Sequence, residues 1–199
     1  MVDLLIKFPE VRFILKDKMP DELIDVIDEK GNIIGKKLKS LVHKDGDWHK
    51  GAHVWIVIDG KILLQKRSER KDIFPGRFDV SCAGHVKSGE TYEEAAIREL
   101  KEELGIEADK SDLLLLDKRP QITRIREKGI ISREIIKVFL LKKRVELKDL
   151  SVYKDEISEV KLFDLDELLN LLKNKPEMFV EDREYFLDTI EKIRKITSL

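Results

Sequence analysis

Short apolar runs separated by turn-forming residues fill the first half of the chain. Residues 53–58 and 62–65 are two such runs, and the Asp59-Gly60 pair between them supplies the positive φ angles of a tight turn. A second β-prone stretch, residues 23–34, also has turn-forming residues in its middle. The pattern therefore predicts two β-hairpins early in the chain.

The hydrophobic period changes to that of a helix after residue 90. Apolar residues at positions 96, 97, 100 and 104 fall on one helical face. Thr91 and Glu94, three residues apart, form the pattern of a capping box at the start of this segment. Gly105 stands where a helix commonly ends in the left-handed conformation. We therefore predict a helix over residues 91–104.

The rest of the chain alternates irregularly between strand and helix patterns. Further strands are predicted at 78–82, 113–116, 134–141 and 160–163, and further helices at 165–173 and 181–196. This order favours an α/β fold, a mixed sheet with helices on its faces, over the regular rhythm of a doubly wound fold. We expect an N-terminal extension (1–20), a main domain (21–175) and a C-terminal helix packed on it (176–199).

Composition excludes several classes of function. The chain has 199 residues, and 39 Lys and Arg balance 40 Asp and Glu, so it lacks the basic excess that binds a nucleic-acid polymer. Its single cysteine, Cys82, forms no internal disulfide, and charged residues interrupt the first twenty positions. The apolar stretches fall short of the ~20 residues that a membrane helix needs. We expect a cytoplasmic protein that binds neither nucleic acid nor membrane.

Three carboxylates share one face of the predicted helix. Glu99, Glu102 and Glu103 stand at i, i+3 and i+4. Such like charges repel each other unless a cation lies between them, and Mg²⁺ prefers oxygen ligands while keeping water for a phosphate-bearing substrate. Taken alone, the helix leaves an alternative open, in which the acids are solvated and pair with Arg98 and Lys101.

The surrounding residues decide between these alternatives. Gly84, Glu90 and the run RELKEELGI at 98–106 have the residues and spacing of the Nudix box, which the chain resembles at every fixed position. The resemblance implies a Nudix-type α/β/α sandwich. It also implies a hydrolase that cleaves a phosphoanhydride bond in a small nucleoside diphosphate, or in one linked to another group X. The implied cofactor is Mg²⁺, with Mn²⁺ as the alternative.

The resemblance also assigns roles to the residues of the box. It implies that Glu99 and Glu103 are the main metal ligands, assisted by the carbonyl of Gly84 and by Glu102. Arg98 is counted among the catalytic residues and is expected to hold a neighbouring carboxylate in a bidentate fork.

The general base differs among members of the family, so the resemblance leaves it open. Glu102 and Glu103 are the first choices. Glu134 and Glu156, outside the helix, are the alternatives.

Segments outside the box resemble the Nudix branch that contains the isopentenyl diphosphate isomerases. These segments are HKGAH at 49–53, QKRS at 65–68, KDIFPG at 71–76 and FDVSCAGH at 78–85. With them, the likeness covers about residues 22–163. Within these segments Arg67, Lys71 and Arg77 form a basic cluster that we expect to bind the phosphates of a substrate. A homodimer is left open.

An isomerase of isopentenyl diphosphate is therefore an alternative function. The isomerases need a catalytic cysteine directly before a Gly-His pair, and Ala83 holds that place here. Cys82 lies one residue earlier and is expected to be buried and to face away from the site. Glu134 matches the partner glutamate of the isomerases. Because the acidic helix is intact, a hydrolase on an isomerase-like scaffold is favoured; a non-catalytic nucleotide-binding module is the third alternative.

The histidines are left outside the predicted site. In the isomerases, residues matching His49 and His85 join a metal site, whereas the hydrolase hypothesis makes His85 a loop residue packed near the box. His43 has no supporting context in the sequence.

Overall fold

The computed structural model describes residues 11–14, 21–71 and 73–197. Within these ranges the strands are β1 (Arg12–Ile14), β2 (Leu23–Ile27), β3 (Ile33–Leu38), β4 (Trp48–Ile58), β5 (Lys61–Arg67), β6 (Phe78–Asp79), β7 (Cys82–His85), β8 (Leu113–Ile125), β9 (Ile130–Leu141), β10 (Ser151–Tyr153) and β11 (Ile157–Phe163). The α-helices are α1 (Lys39–Asp45), α2 (Tyr92–Leu104), α3 (Leu165–Asn174) and α4 (Arg183–Arg194).

Strand β4 is the centre of the main sheet. It runs parallel to β9 and antiparallel to β2, β5 and β7. β8 joins β9, β11 joins β5, and β3 extends the sheet from β2, while β1 and β10 form a separate parallel pair. The predicted α/β fold with a mixed sheet is therefore confirmed.

One edge of β4 pairs with two different strands, β7 and then β5, along its length. Its C-terminal end pairs with β5 through residues 56–58, and the preceding residues 51–54 pair with β7. β5 then continues past β4 and pairs with β6. The sheet therefore divides here into a β5–β6 branch and a β7 branch. Glu99 lies against Gly84 of β7, and Glu103 contacts Gln65 of β5.

Apolar side chains cover both faces of the sheet. On the face that carries α2, termed the α2 face, Val54 and Phe139 pack with Leu100 and Leu104 of the helix. On the opposite face, termed the α4 face, the residues that pack together are Trp55, Val138, Leu168 and Phe186. Both faces of β4 are therefore buried, which agrees with its nearly continuous apolar sequence.

Helix α2 begins and ends as the sequence predicts. The backbone N–H of Glu94 donates to the Thr91 side chain at 3.2 Å, and the N–H of Thr91 donates to the Glu94 carboxylate at 2.9 Å. Gly105 ends the helix with φ at 72°. The predicted capping box and left-handed glycine are both confirmed.

The structure differs from the predicted elements in several places. The single strand predicted at 78–82 is two strands, β6 and β7, and neither β1 nor β10 was predicted. β8 and β9 run well beyond the predicted 113–116 and 134–141. The short helix α1 was not predicted, because only Val42 is buried along it and no apolar stripe marks it. The N-terminal extension lies mostly outside the described residues, and the division at residues 20 and 175 stays a prediction. In the described part, no helix is long and apolar enough to span a membrane.

We expect Gly105→Ala to destabilise the fold by about 2–4 kcal/mol, the sum of a left-handed backbone and an overlap. An added Cβ would lie 2.8 Å from the Cβ of Ser151. Gly60→Ala is the matched control, because its φ of 74° is nearly the same while no described atom lies within 4 Å of the added Cβ. The control should lose only about 1–2 kcal/mol. Urea unfolding checks both, and equal losses would contradict the overlap.

Candidate active site

The three predicted site glutamates of α2, Glu99, Glu102 and Glu103, lie on the side of β7 but at different depths. Burial of Leu100 and Leu104 against the sheet fixes the rotation of the helix. This rotation leaves Glu103 only 8% exposed, whereas the side chains of Glu99 and Glu102 are 12% and 30% exposed. The predicted shared face is therefore present, with its C-terminal glutamate the deepest.

Gly84 lets the β7 backbone approach this helix closely. A Cβ added at Gly84 would overlap the carboxylate of Glu99. A glycine is therefore needed here for lack of space, not for an unusual φ angle. The close approach puts the Gly84 backbone next to the first predicted metal ligand.

Arg98 joins the helix to the strand and to the other acids. Its Nε and Nη2 donate to the two carboxylate oxygens of Glu90 at 2.8 and 3.0 Å, which is the predicted bidentate fork. Nη1 donates to Glu99 at 2.6 Å and to Glu102 at 3.3 Å. Nη2 also donates to the carbonyl of His85 at 2.9 Å. Arg98 therefore orients the acids of the site.

Burial perturbs the two deepest carboxyl groups. Burial and, after it, the charge of Glu99 together raise the pKa of Glu103 to about 8. Burial likewise raises the pKa of Glu99 to about 7, although Arg98 opposes this shift. Both groups therefore resist ionisation at neutral pH, and a bound cation would favour their charged forms.

Cys82 lies on the α2 face, which corrects one expectation. Its thiol is buried and hydrogen-bonds the carboxylate of Glu103, so it does not face away from the acids. Alternation along β7 explains this, because Cys82 and Gly84 both point towards α2 while Ala83 points to the α4 face. Gln65 also contacts Glu103, its Nε2 donating at 3.3 Å.

Of the three predicted phosphate-binding residues, Lys71 lies beside the acids. Its ammonium group pairs with Glu156, and its charge lowers the pKa of Glu103. Glu156, an alternative base, is therefore close to the site as well.

Arg67 and Arg77 have other partners. Arg67 pairs with Asp79 at 3.1 Å, and the Arg77 guanidinium lies 4.8 Å from the ring centroid of Phe74. The backbones of the two arginines are adjacent, since the N–H of Arg67 donates to the Arg77 carbonyl at 2.9 Å. The predicted phosphate-binding cluster stays a prediction.

Three histidines converge at the end of β7. His43 of α1, His49 of β4 and His85 of β7 have ligand nitrogens that all lie within 4.8 Å of one another. The Nε2 atoms of His43 and His85 are 3.1 Å apart. Burial lowers the pKa of His43 to about 4 and holds that of His85 well below its usual value. Neutral imidazoles are ligands for zinc, cobalt and similar transition metals.

Within the described residues, this is the one group of three or more side chains close enough to share an ion. The acids of α2 do not form such a group. Glu99 and Glu102 accept hydrogen bonds from Arg98, whereas Glu103 accepts one from Gln65. That arrangement suits Mg²⁺, which is usually held by one or two carboxylates together with waters and phosphates.

Glu134 lies next to the histidines and not next to the acids of α2. Its Oε1 is 3.8 Å from His49 Nε2 and accepts a hydrogen bond from Ser132 Oγ at 2.6 Å. Burial opposes its ionisation, but His49 and Ser132 together hold the pKa of Glu134 below its usual value. The reasoning from sequence missed His43, because nothing in the sequence marks a helix that brings it to His85.

Comparisons with known proteins bear on the family and the fold of the chain. The family profile described as NUDIX domain matches residues 47–188. The chain is 37% identical to an uncharacterised Nudix hydrolase of Clostridium acetobutylicum over 79% of this chain and 77% of that protein. It is 34% identical to Nudix hydrolase 3 of Arabidopsis thaliana over 81% of this chain and 22% of that protein. A crystal structure of a Deinococcus radiodurans protein, 24% identical, superposes with a TM-score of 0.56 over 77% of this chain and 90% of that one.

We expect Gly84→Ala to weaken Mg²⁺ binding at least ~10-fold, because the added methyl group displaces the Glu99 carboxylate and loses part of a charged contact. Thermal melting with increasing MgCl₂ measures this, since a bound ion raises the melting temperature. Gly35→Ala is the control, because no described atom lies within 4 Å of its added Cβ. A Mg²⁺-dependent shift in Gly84→Ala equal to that of the wild type would contradict the assignment.

Proposed function

The chain belongs to the Nudix domain family, and we propose that this pyrophosphohydrolase cleaves a small nucleoside diphosphate, or one linked to a group X, with Mg²⁺. The observation that supports the proposal is the contact of Glu99 with Gly84 beside the buried Glu103. The cytoplasmic location stays a prediction, and a homodimer stays open.

The residues present fit a divalent cation, and Nudix hydrolases generally use such ions. Glu99 and Glu103 offer hard oxygen ligands whose raised pKa values fall when a cation binds. We propose that these two carboxylates hold Mg²⁺, with the Gly84 carbonyl and Glu102 assisting. Mn²⁺ would suit the same ligands.

The bound cation would neutralise phosphoryl oxygens and make the attacking water more acidic. The chain's own residues would do the rest. Lys71, which pairs with Glu156, would bind a phosphate oxygen of the substrate. Glu102 or Glu103 would accept the proton of the water. Arg98 would keep the carboxylates in place during turnover.

We expect Glu103→Gln to lower kcat by about 10³-fold or more, since it removes both a ligand and a candidate base. The amide keeps the shape of the buried side chain, so the melting temperature should change little. Release of phosphate from nucleoside diphosphates, and of the nucleoside monophosphate from their X-linked forms, measures the effect with Mg²⁺ present. Glu107→Gln, at an exposed residue paired with Lys101, is the control and should retain full activity. Full activity in Glu103→Gln would refute the assignment.

A second candidate function is the isomerisation of isopentenyl diphosphate. The histidine cluster beside Glu134 favours it, because a metal ion there would lie on the same face as Ala83. Ala83 argues against it, since a methyl group cannot donate a proton to carbon. The intact acids of α2 therefore favour the hydrolase.

Incubation with isopentenyl diphosphate in deuterated water separates these two functions. We expect no deuterium in carbon by mass spectrometry, because the chain lacks the thiol that would exchange protons. Phosphate release from nucleotide substrates by the same preparation is the control for folded enzyme. Incorporation of label would favour the isomerase, and tight nucleotide binding without any phosphate release would favour a binding module.

A further inference from the structure

Two side chains of the sheet hold the carboxylate of Glu103, the deepest of the site glutamates of α2. Gln65 Nε2 donates to Glu103 Oε2 at 3.3 Å, and the Cys82 thiol donates a second hydrogen bond to the carboxylate. Gln65 lies on the β5–β6 branch of the sheet, and Cys82 lies on the β7 branch. The carboxylate is therefore held from both branches of the divided sheet.

The position of Gln65 is fixed by the sheet, and its amide is buried. Its backbone pairs in register with Val160 of β11 on one side and with Asp79 of β6 on the other. The side chain is only 3% exposed and lies on the face of Val160 and Leu63, which belong to the apolar core under α2. A buried amide in such surroundings is unfavourable unless it is hydrogen-bonded. Packing alone would favour a leucine here, so the contact with Glu103 is what accounts for the glutamine.

Both donors to Glu103 are neutral, which distinguishes this acid from its neighbours on the helix. Arg98 supplies a positive charge to Glu99 and to Glu102. An amide and a thiol orient a carboxylate without neutralising it. The negative charge of Glu103 is thus left for a bound cation to balance, and hydrogen-bond partners of this kind commonly orient the ligands of metal ions in proteins.

We propose that Gln65 and Cys82 are positioning residues, which hold the Glu103 carboxylate in the orientation that binds Mg²⁺. This inference rests on the proposed function, in which Glu103 is a metal ligand. Neither side chain contacts the cation or the substrate in this role, because each acts through Glu103. The two residues contribute unequally, since an amide is a stronger hydrogen-bond donor than a thiol.

Gln65→Leu removes the amide and keeps a buried side chain of similar size. We expect it to weaken Mg²⁺ binding about 10-fold or more, as the loss of a partner of a metal ligand commonly does. The rise of the melting temperature with increasing MgCl₂ measures binding without any turnover. Gln121→Leu is the matched control and should leave this rise unchanged. Gln121, on β8, donates to Glu181 at 2.7 Å, so the control removes the same type of contact from a different carboxylate.

The same substitution in a Glu103→Gln background separates positioning from general packing. Because Gln65 acts through the carboxylate, Gln65→Leu should change Mg²⁺ binding by less than about 2-fold once that carboxylate is gone. A merely structural role would give equal losses in both backgrounds and would overturn the inference. Cys82→Ser keeps a donor and should stay within about 2-fold of the wild type, whereas Cys82→Ala should weaken Mg²⁺ binding about 5-fold.

An unchanged Mg²⁺ response in Gln65→Leu would overturn the inference for Gln65, and equal responses in Cys82→Ser and Cys82→Ala would overturn it for Cys82. If Gln65→Leu does not fold, Gln65→Asn, whose amide is one methylene shorter, should show the same loss. If Glu103→Gln binds too little Mg²⁺ for the comparison, the difference between the two Cys82 variants decides whether donors to Glu103 set the Mg²⁺ affinity.

The wild type separates this inference from the proposed function. If it binds Mg²⁺ but hydrolyses none of the nucleotides, the proposed function fails, and the binding comparison still decides the positioning roles. A wild type whose melting temperature does not respond to MgCl₂ would overturn both.

Discussion

The guanidinium of Arg98 holds together the parts of the candidate site that come from different elements. It fixes Glu90 before the helix, Glu99 and Glu102 on the helix, and the His85 carbonyl on β7. The neighbouring carboxylates outweigh the effect of burial and keep its pKa above the usual value. A neutral side chain in its place would leave three partly buried acids with Lys87 as their nearest described cation. An uncompensated buried charge costs several kcal/mol per ion.

The charge that Arg98 supplies is less than the acids require. Arg98 contacts Glu90, Glu99 and Glu102, and Lys87 lies 4.0 Å from Glu102, while Glu103 is buried beyond the hydrogen bonds of Arg98. Lys71 contributes from outside, but its ammonium group is paired with Glu156. Burial and, after it, the charges of neighbouring carboxylates raise the pKa values of Glu99 and Glu103. A folded site that is short of positive charge, with oxygen ligands at its centre, is the electrostatic condition for binding a divalent cation.

Sequence reasoning succeeded where local chemistry decides the structure. Capping residues, the helical stripe and the terminal glycine specify α2 within a single segment, and the spacing of the acids follows from the helix. It failed where residues distant in sequence meet. His43 reaches His85 across 42 positions through α1, which carries no amphipathic signal. The sequence also did not indicate that the Arg67 side chain pairs with Asp79, which the pairing of β5 with β6 brings beside it. Strand pairings of this kind cannot be read from composition or local spacing.

Two different donor sets meet on the short strand β7. Gly84 faces α2 and the hard carboxylate oxygens, whereas the next residue, His85, faces the imidazoles of His43 and His49. Because neighbouring residues on a strand point to opposite faces, the two sets are adjacent in sequence but separated by the backbone of the sheet. Hard cations such as Mg²⁺ prefer the first set and softer transition metals the second. The alternation of side chains along β7 therefore places the oxygen ligands on one face of the sheet and the nitrogen ligands on the other. Arg98 connects the two sets, because it donates to both Glu99 and the His85 carbonyl.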